Sequence, residues 1–251
     1  GDDVPKRYDL SSLKLVVIAG EILGLEAWRW LWQNVAKGRD GCYVIETWGQ
    51  TENSGFIAAP LGFGIAGGIR YKQGSVGLPY PGIKIRIFSD RGEALGPGER
   101  GNVVIEPPVP PAFMYSVWGD PERYVRTYWS RFEGLYLTGD YGYVDDEGYV
   151  YILGRVDDVV KVAGHRLAPA DIENAVAKHP SVAEAAAVSV PDPVRGEVLA
   201  VFVTPKKGAV VEPQRLAEEL RELVRREIGP VAVIGAVYVV ERLPRTRTGK
   251  I

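Results

Sequence analysis

The run Leu15-Val16-Val17-Ile18-Ala19, the tryptophan-rich stretch from Leu25 to Val35 and the second apolar run Cys42-Tyr43-Val44-Ile45 decide how the first part of the chain folds. A short apolar run bounded by polar residues reads as a strand, and apolar residues recurring three and four apart read as one face of a helix. Strand, helix, strand in that order predicts an α/β layer over residues 1–73. In open sheets of this kind ligands gather at the carboxyl ends of the strands. The polar segment Glu46-Thr47-Trp48-Gly49-Gln50-Thr51-Glu52 follows the second strand directly, so it sits where a site would be expected. Its chemistry suits a nucleotide: an indole face for a base, a Thr51 hydroxyl for a phosphate, and a Glu52 oxygen for a magnesium ion bridging that phosphate. The same residues equally suit an ordinary polar loop.

Beyond residue 74 the texture changes. Short apolar stretches such as Lys84 to Phe88 and Gly101 to Glu106 are punctuated by glycines and prolines. Asp145-Asp146-Glu147-Gly148, between Tyr143-Val144 and Tyr149-Val150-Tyr151, reads as a hairpin turn. Residues 74–156 are therefore expected to form a β-rich subdomain, a distorted barrel. From residue 157 onward the pattern alternates again. A helix opens near Pro169, strands cover Ala185 to Val190 and Leu199 to Thr204, and a helix with Pro213 in its first turn carries Leu216, Leu220, Leu223 and Val224 on one face. Gly229-Pro230 stops it, and the run from Ala232 to Val240 reads as a last strand. The fold class expected is thus α/β plus α+β: 1–156 one domain, and 157–251 a second unit large enough to bury its own core.

Composition narrows the function. The 30 Lys and Arg against 32 Asp and Glu give a net charge of -2, which argues against a protein that coats nucleic acid. No apolar run approaches the roughly 20 residues that span a bilayer, so membrane and secretory roles are not expected. One cysteine, Cys42, cannot form an internal disulfide, and two histidines without acidic or cysteine partners at ligand spacing, His165 and His179, read as structural rather than zinc-binding. A reducing cytoplasmic setting is expected. Gly62-Phe63-Gly64-Ile65-Ala66-Gly67-Gly68 lacks the lysine and hydroxyl ending of a phosphate loop and reads as a flexible loop.

Two further segments hold polar groups suited to a nucleotide. Thr138-Gly139-Asp140 offers a carboxylate for ribose hydroxyls, and Gly154 to Arg166 offers Arg155 and Arg166 as planar forks for phosphate. A charged interdomain loop with arginines paired to neighbouring aspartates fits Gly154 to Arg166 as well. The end, Pro244-Arg245-Thr246-Arg247-Thr248-Gly249-Lys250-Ile251, reads alone as a solvated basic tail, although a lysine beside a glycine can approach a phosphate unobstructed.

Together and in order, Gly20-Glu21, Glu26-Ala27-Trp28, Gly139-Asp140, Gly154 to Arg166, Arg225 to Pro230 and Pro244 to Ile251 resemble the later motifs of the acyl-adenylate-forming superfamily, along essentially the whole chain. The form is similar to the acetyl-CoA synthetase branch of the AMP-forming acyl-CoA synthetases. That resemblance implies a carboxylate activated with ATP to an acyl-adenylate, with pyrophosphate leaving, then transferred to coenzyme A with release of AMP. It implies an adenine pocket from Gly20, Glu21, Ile22, Glu46, Thr47 and Trp48, continued by Gly49 and Gln50. It also implies an α-phosphate contact from Thr51, magnesium on Glu52, ribose on Asp140 and Arg155, and Arg166 at the phosphate end. Lys250 is implied to bridge the acid and the α-phosphate. Asp157 is implied as the hinge of a mobile small domain, Ala163, Gly164 and His165 as the lining of the pantetheine tunnel, and Arg225 as a contact to the coenzyme A phosphate.

Three positions depart from that branch. Ile22 replaces the proline usual after Gly-Glu, Gly49 replaces a second tryptophan, and Ala19 replaces a valine of the acyl pocket wall. The last two imply an acid larger than acetate, of short to medium chain. The upstream phosphate loop of the family is missing, so this chain alone is expected not to make an adenylate and to need the upstream remainder of the same enzyme. Self-association is compatible with the sequence. An adenylation domain that loads a carrier protein, and a non-catalytic nucleotide-binding module, are the competing readings.

Overall fold

The computed structural model describes residues 4–60, 70–162, 165–193, 196–247 and 251. The Gly62 to Gly68 loop, Ala163, Gly164 and Lys250 lie outside them. The chain divides into two compact units, residues 1–152 and 153–251.

Unit 1 begins with the α/β segment that the opening stretch predicts. Strands β1 (Leu15–Ile18) and β2 (Tyr43–Glu46) run parallel, in register from Leu15 opposite Tyr43 to Ile18 opposite Glu46, and helix α1 (Leu25–Asn34) connects them. The tryptophans explain the helix face: Trp28 and Trp32 stack at 5.8 Å, and the Trp28 indole N–H donates to the Val44 carbonyl at 2.9 Å. Both pack on a small core of Ala36, Cys42 and Val44.

Next come β3 (Trp48–Gln50), β4 (Gly55–Ala59) and β5 (Leu78–Pro79), an antiparallel sheet whose first two strands form a hairpin around the 3-10 turn Thr51–Asn53. A second sheet has the order β6 (Lys84–Phe88), β7 (Gly101–Glu106), β8 (Tyr136–Val144) and β9 (Val150–Arg155). The two sheets share one core that includes Trp48, Ile57, Val103, Ile105, Tyr136 and Val150, so the β-rich subdomain is two packed sheets. Helix α2 (Pro121–Tyr128) interrupts the strands, and nothing in the period-2 reading anticipated it. Its start signal was nevertheless present: Asp120 caps the helix by accepting from the Arg123 N–H at 2.9 Å, with Pro121 in the first turn.

Unit 2 contains the hairpin β10 (Val160–Val162) and β11 (His165–Leu167), helix α3 (Pro169–Ala177), and the sheet β12 (Val182–Asp192), β13 (Gly196–Pro205) and β14 (Ile234–Val239). The β12–β13 pair is antiparallel, and β14 returns parallel to β13 through helix α4 (Pro213–Glu227). Glu212 caps α4 by accepting from the N–H groups of Gln214 and Arg215. Its apolar stripe of Leu216, Leu220, Leu223 and Val224 packs with Ile172 and Val176 of α3 against Leu199, Val201 and Val203. The His179 ring lies 3.1 Å from the Glu219 carboxylate.

Candidate functional site

Strand β2 delivers Glu46 and Thr47 to its carboxyl end. Glu46 is buried and accepts the Leu23 N–H at 2.8 Å, which ties it to the loop that carries Gly20, Glu21 and Ile22. Burial pushes its carboxyl from the ordinary 4.5 up to about 7, and the Leu23 amide offsets part of that rise. The Thr47 N–H continues the parallel ladder by donating to the Ile18 carbonyl at 3.0 Å. Ala19, Gly20 and Glu21 are exposed just beyond β1, and Ile22 is half-buried.

Trp48, Gln50 and Asp140 form the central cluster. One oxygen of Asp140, Oδ2, accepts the Trp48 indole N–H at 3.0 Å and the Gln50 amide at 2.7 Å, while the same Gln50 amide donates to the Thr138 carbonyl at 2.6 Å. Trp48 is 8% exposed and packs in the core, so its ring does not offer the open face that its sequence position suggests; it holds the carboxylate instead. The Gln50 Oε1 has no hydrogen-bond partner among the described residues although it is buried.

Backbone irregularity aims Asp140. Along the β7–β8 pair, Val104 faces Leu137 and Asn102 faces Tyr141, so Thr138, Gly139 and Asp140 all stand opposite Val103. This is a bulge with two extra residues, and bulges redirect the side chains next to them. Gly139 takes φ of 75° there, a left-handed value that any side chain would strain. The Thr138 hydroxyl closes the bulge by donating to the Val103 carbonyl at 2.7 Å and accepting the Asp140 N–H at 3.1 Å.

At the tip of the β3–β4 hairpin, Thr51 is exposed, Glu52 half-buried and Asn53 buried. The Tyr128 hydroxyl donates to Glu52 Oε1 at 2.8 Å, and the Glu52 carbonyl accepts the Met114 N–H at 2.8 Å. Sequence reasoning missed Tyr128. Gly49 shows a second departure: a Cβ there would lie 2.0 Å from the Gly55 carbonyl oxygen, so the close approach of β4 requires glycine at this position. Larger side chains at position 49 need the two strands to separate.

Unit 2 carries the remaining candidates. Arg155 and Asp157 are exposed at the end of β9 and in the following 3-10 turn, and Arg166 is half-buried in β11. His165 pairs through its backbone with Val162. Arg225 is exposed in the last turn of α4.

Two family models match this chain: AMP-binding enzyme over residues 2–110, and AMP-binding enzyme C-terminal domain over residues 171–250. The chain belongs to the AMP-binding enzyme family. Among its curated relatives, the acetyl-coenzyme A synthetase of Pyrobaculum aerophilum is 43% identical over 252 residues, covering 100% of this chain and 37% of the relative. The 3-hydroxypropionyl-coenzyme A synthetase of Sulfurisphaera tokodaii is 42% identical over 257 residues, covering 100% of this chain and 38% of that relative. This chain therefore spans little more than a third of the length of these relatives. Among solved structures, the crystal structure of the anthranilate CoA ligase AuaEII in complex with anthranoyl-AMP has a TM-score of 0.81 and 27% identity, covering 99% of this chain and 45% of that one. The family and the arrangement of β3, β8 and their polar residues agree on an adenylate-forming fold.

Proposed function

We propose that this chain is the carboxy-terminal part of an AMP-forming acyl-CoA synthetase, which joins a carboxylic acid to ATP as an acyl-adenylate and then transfers the acyl group to coenzyme A. The observation that carries the reading is the buried Asp140 carboxylate, which Trp48 and Gln50 of a single motif fix from about 90 residues away. A carboxylate held without rotamer freedom is pre-organised to receive ribose hydroxyls, and pre-organisation is what makes a binding group effective.

The other roles follow the family pattern. Glu46, Thr47 and the Gly20-Glu21-Ile22 loop flank the adenine, Thr51 meets the α-phosphate, and Arg155 and Arg166 serve the ribose and phosphate ends. Lys250 holds the acid and the α-phosphate together, a contact worth about 3 kcal/mol or more in the transition state. Asp157 is the hinge of residues 157–251. Ala163, Gly164 and His165 line the pantetheine path, and Arg225 receives the coenzyme A phosphate, which favours that acceptor over a carrier protein. The upstream remainder of the same polypeptide completes the site, and the chain alone is inactive.

Glu52 fits a magnesium nucleotide. One of its oxygens is taken by Tyr128, the other has no hydrogen-bond partner among the described residues, and magnesium on nucleotides commonly uses only one or two carboxylates besides phosphate oxygens. Bound there, the ion would neutralise phosphate charge. The acid is larger than acetate, a four-carbon or hydroxy acid, on the strength of Ala19; each extra buried methylene contributes about 0.8 kcal/mol. A relative named for 3-hydroxypropionate is compatible with that choice.

The test is pyrophosphate exchange by the full-length polypeptide over a panel of acids, run with wild type and Asp140→Ala. Exchange that peaks with four-carbon or hydroxy acids and collapses in the variant is the expected result. Highest efficiency on acetate would remove the acid assignment, and full exchange by Asp140→Ala would remove the site.

A further inference from the structure

Helix α2 has no place in the roles above, yet it reaches the hairpin tip. Its last residue, Tyr128, donates to Glu52 Oε1 at 2.8 Å. The ring that carries this hydroxyl is itself fixed: it stacks on Tyr136 at 5.4 Å with an interplanar angle of 6°. Tyr136 is fully buried and is gripped edge-on by Phe113 at 5.3 Å and Trp129 at 5.5 Å. The backbone of Glu52 is held from the same side, because its carbonyl accepts the N–H of Met114, next to Phe113. Residues 113–136 thus grip both ends of Glu52, side chain and main chain.

The surroundings are costly enough to need a reason. The Asn53 amide and the Tyr136 hydroxyl are buried near each other, and neither makes a well-formed hydrogen bond among the described residues. Burial, and after it the Glu52 carboxylate, push the Tyr136 hydroxyl well above its usual range. Unpaired polar groups of this kind gather at functional sites. A carboxylate required only for solubility would need no such scaffold.

We propose that Tyr128 is the positioning residue for Glu52: its hydroxyl holds Oε1 so that Oε2 is presented, without rotamer search, to the magnesium ion of the bound nucleotide. The inference rests on the reading of Glu52 as the metal-binding carboxylate. It assigns to α2 a task that neither the sequence motifs nor the family match supplies. Tyr128 touches neither nucleotide nor acid in this role, so its loss should weaken metal binding and leave acid preference unchanged.

The test is a double-mutant cycle in the full-length polypeptide with Tyr128→Phe, which keeps the stacked ring, and Glu52→Gln. The primary readout is enzyme-bound Mn2+ by electron paramagnetic resonance at fixed ATP, with thermal unfolding in parallel. Tyr128→Phe should raise the half-saturating Mn2+ concentration about tenfold, the loss of one hydrogen bond to a charged group. Glu52→Gln should raise it at least as far, and the double variant no further than Glu52→Gln alone. If Glu52→Gln weakens Mn2+ binding but Tyr128→Phe does not, the positioning role is wrong and the metal reading stands. If Tyr128→Phe acts undiminished in the Glu52→Gln background, its role is general folding and the inference is overturned. Wild-type Mn2+ binding in Glu52→Gln would instead remove the metal reading itself, and the inference with it.

Discussion

Unit 1 buries Glu46, Thr47, Asn53, Ser75, Asn102, Thr138 and Asp140, whereas the polar residue that unit 2 buries among the described residues is Thr204, beside a core of valine, leucine, isoleucine and alanine. Polar groups inside a protein are costly unless paired, and unit 1 pairs most of them through bonds that join distant segments. Unit 2 spends its interior on packing and keeps three of its candidate groups, Arg155, Asp157 and Arg225, on the surface, with Arg166 half-buried. A fixed pocket wall needs the first design. A compact body that presents contact groups needs only the second.

The contrast is broken most strongly in the unit 2 core. Leu220 is fully buried in α4, and Leu220→Ala should cost about 2–5 kcal/mol through lost burial and the cavity left behind. Hydrogen exchange resolved by mass spectrometry should show the loss in residues 153–251 while the Asp140 cluster keeps its protection. Uniform loss over both units would mean that they do not unfold as separate bodies.

Glu46 sharpens the other side. Its folded value, about 7, lies above the ordinary 4.5, so its stabilising contribution is complete below about pH 4.5 and is lost as pH rises through 7. The resulting penalty at pH 8 is about 3 kcal/mol. Glu46→Gln should therefore be more stable than wild type at pH 8 by up to that amount and equal to it near pH 4.5, as urea unfolding at the two pH values would reveal. A gain independent of pH would show that ionisation is not its source.

The smallest effect on folding is expected at Arg225, exposed on the last turn of α4. Arg225→Ala should leave the unfolding midpoint of unit 2 unchanged, since exposed substitutions away from special features stay within about 0.5 kcal/mol. The same change should raise the KM for coenzyme A of the full-length polypeptide about fivefold, the loss of one exposed charge contact. An unchanged KM would leave the acceptor assignment without its contact.

Local pattern made much of the fold legible. Lys84–Phe88 and Gly101–Glu106 are strands with the bounds their apolar runs suggest, the turn Asp145 to Gly148 joins β8 to β9, and Pro213 opens α4. Each of these depends on neighbours in sequence. The strands β3, β4 and β5 are too short for a period to register, and α2 has a cap signal but only two turns of helix. The links that build the site are harder still. Trp48 meets Asp140 across 92 positions and Glu52 meets Tyr128 across 76, and no periodicity encodes such pairings.

The two additional residues opposite Val103 have a consequence for how this chain can vary. Because the direction of the Asp140 carboxylate is fixed by how many residues stand between Leu137 and Tyr141, it is encoded by length more than by identity. Substitutions along β7 and β8 leave that count intact, whereas a one-residue deletion between Leu137 and Tyr141 would turn the acid away from Trp48. Evolution can repaint this strand outside Thr138, Gly139 and Asp140, but it cannot shorten it.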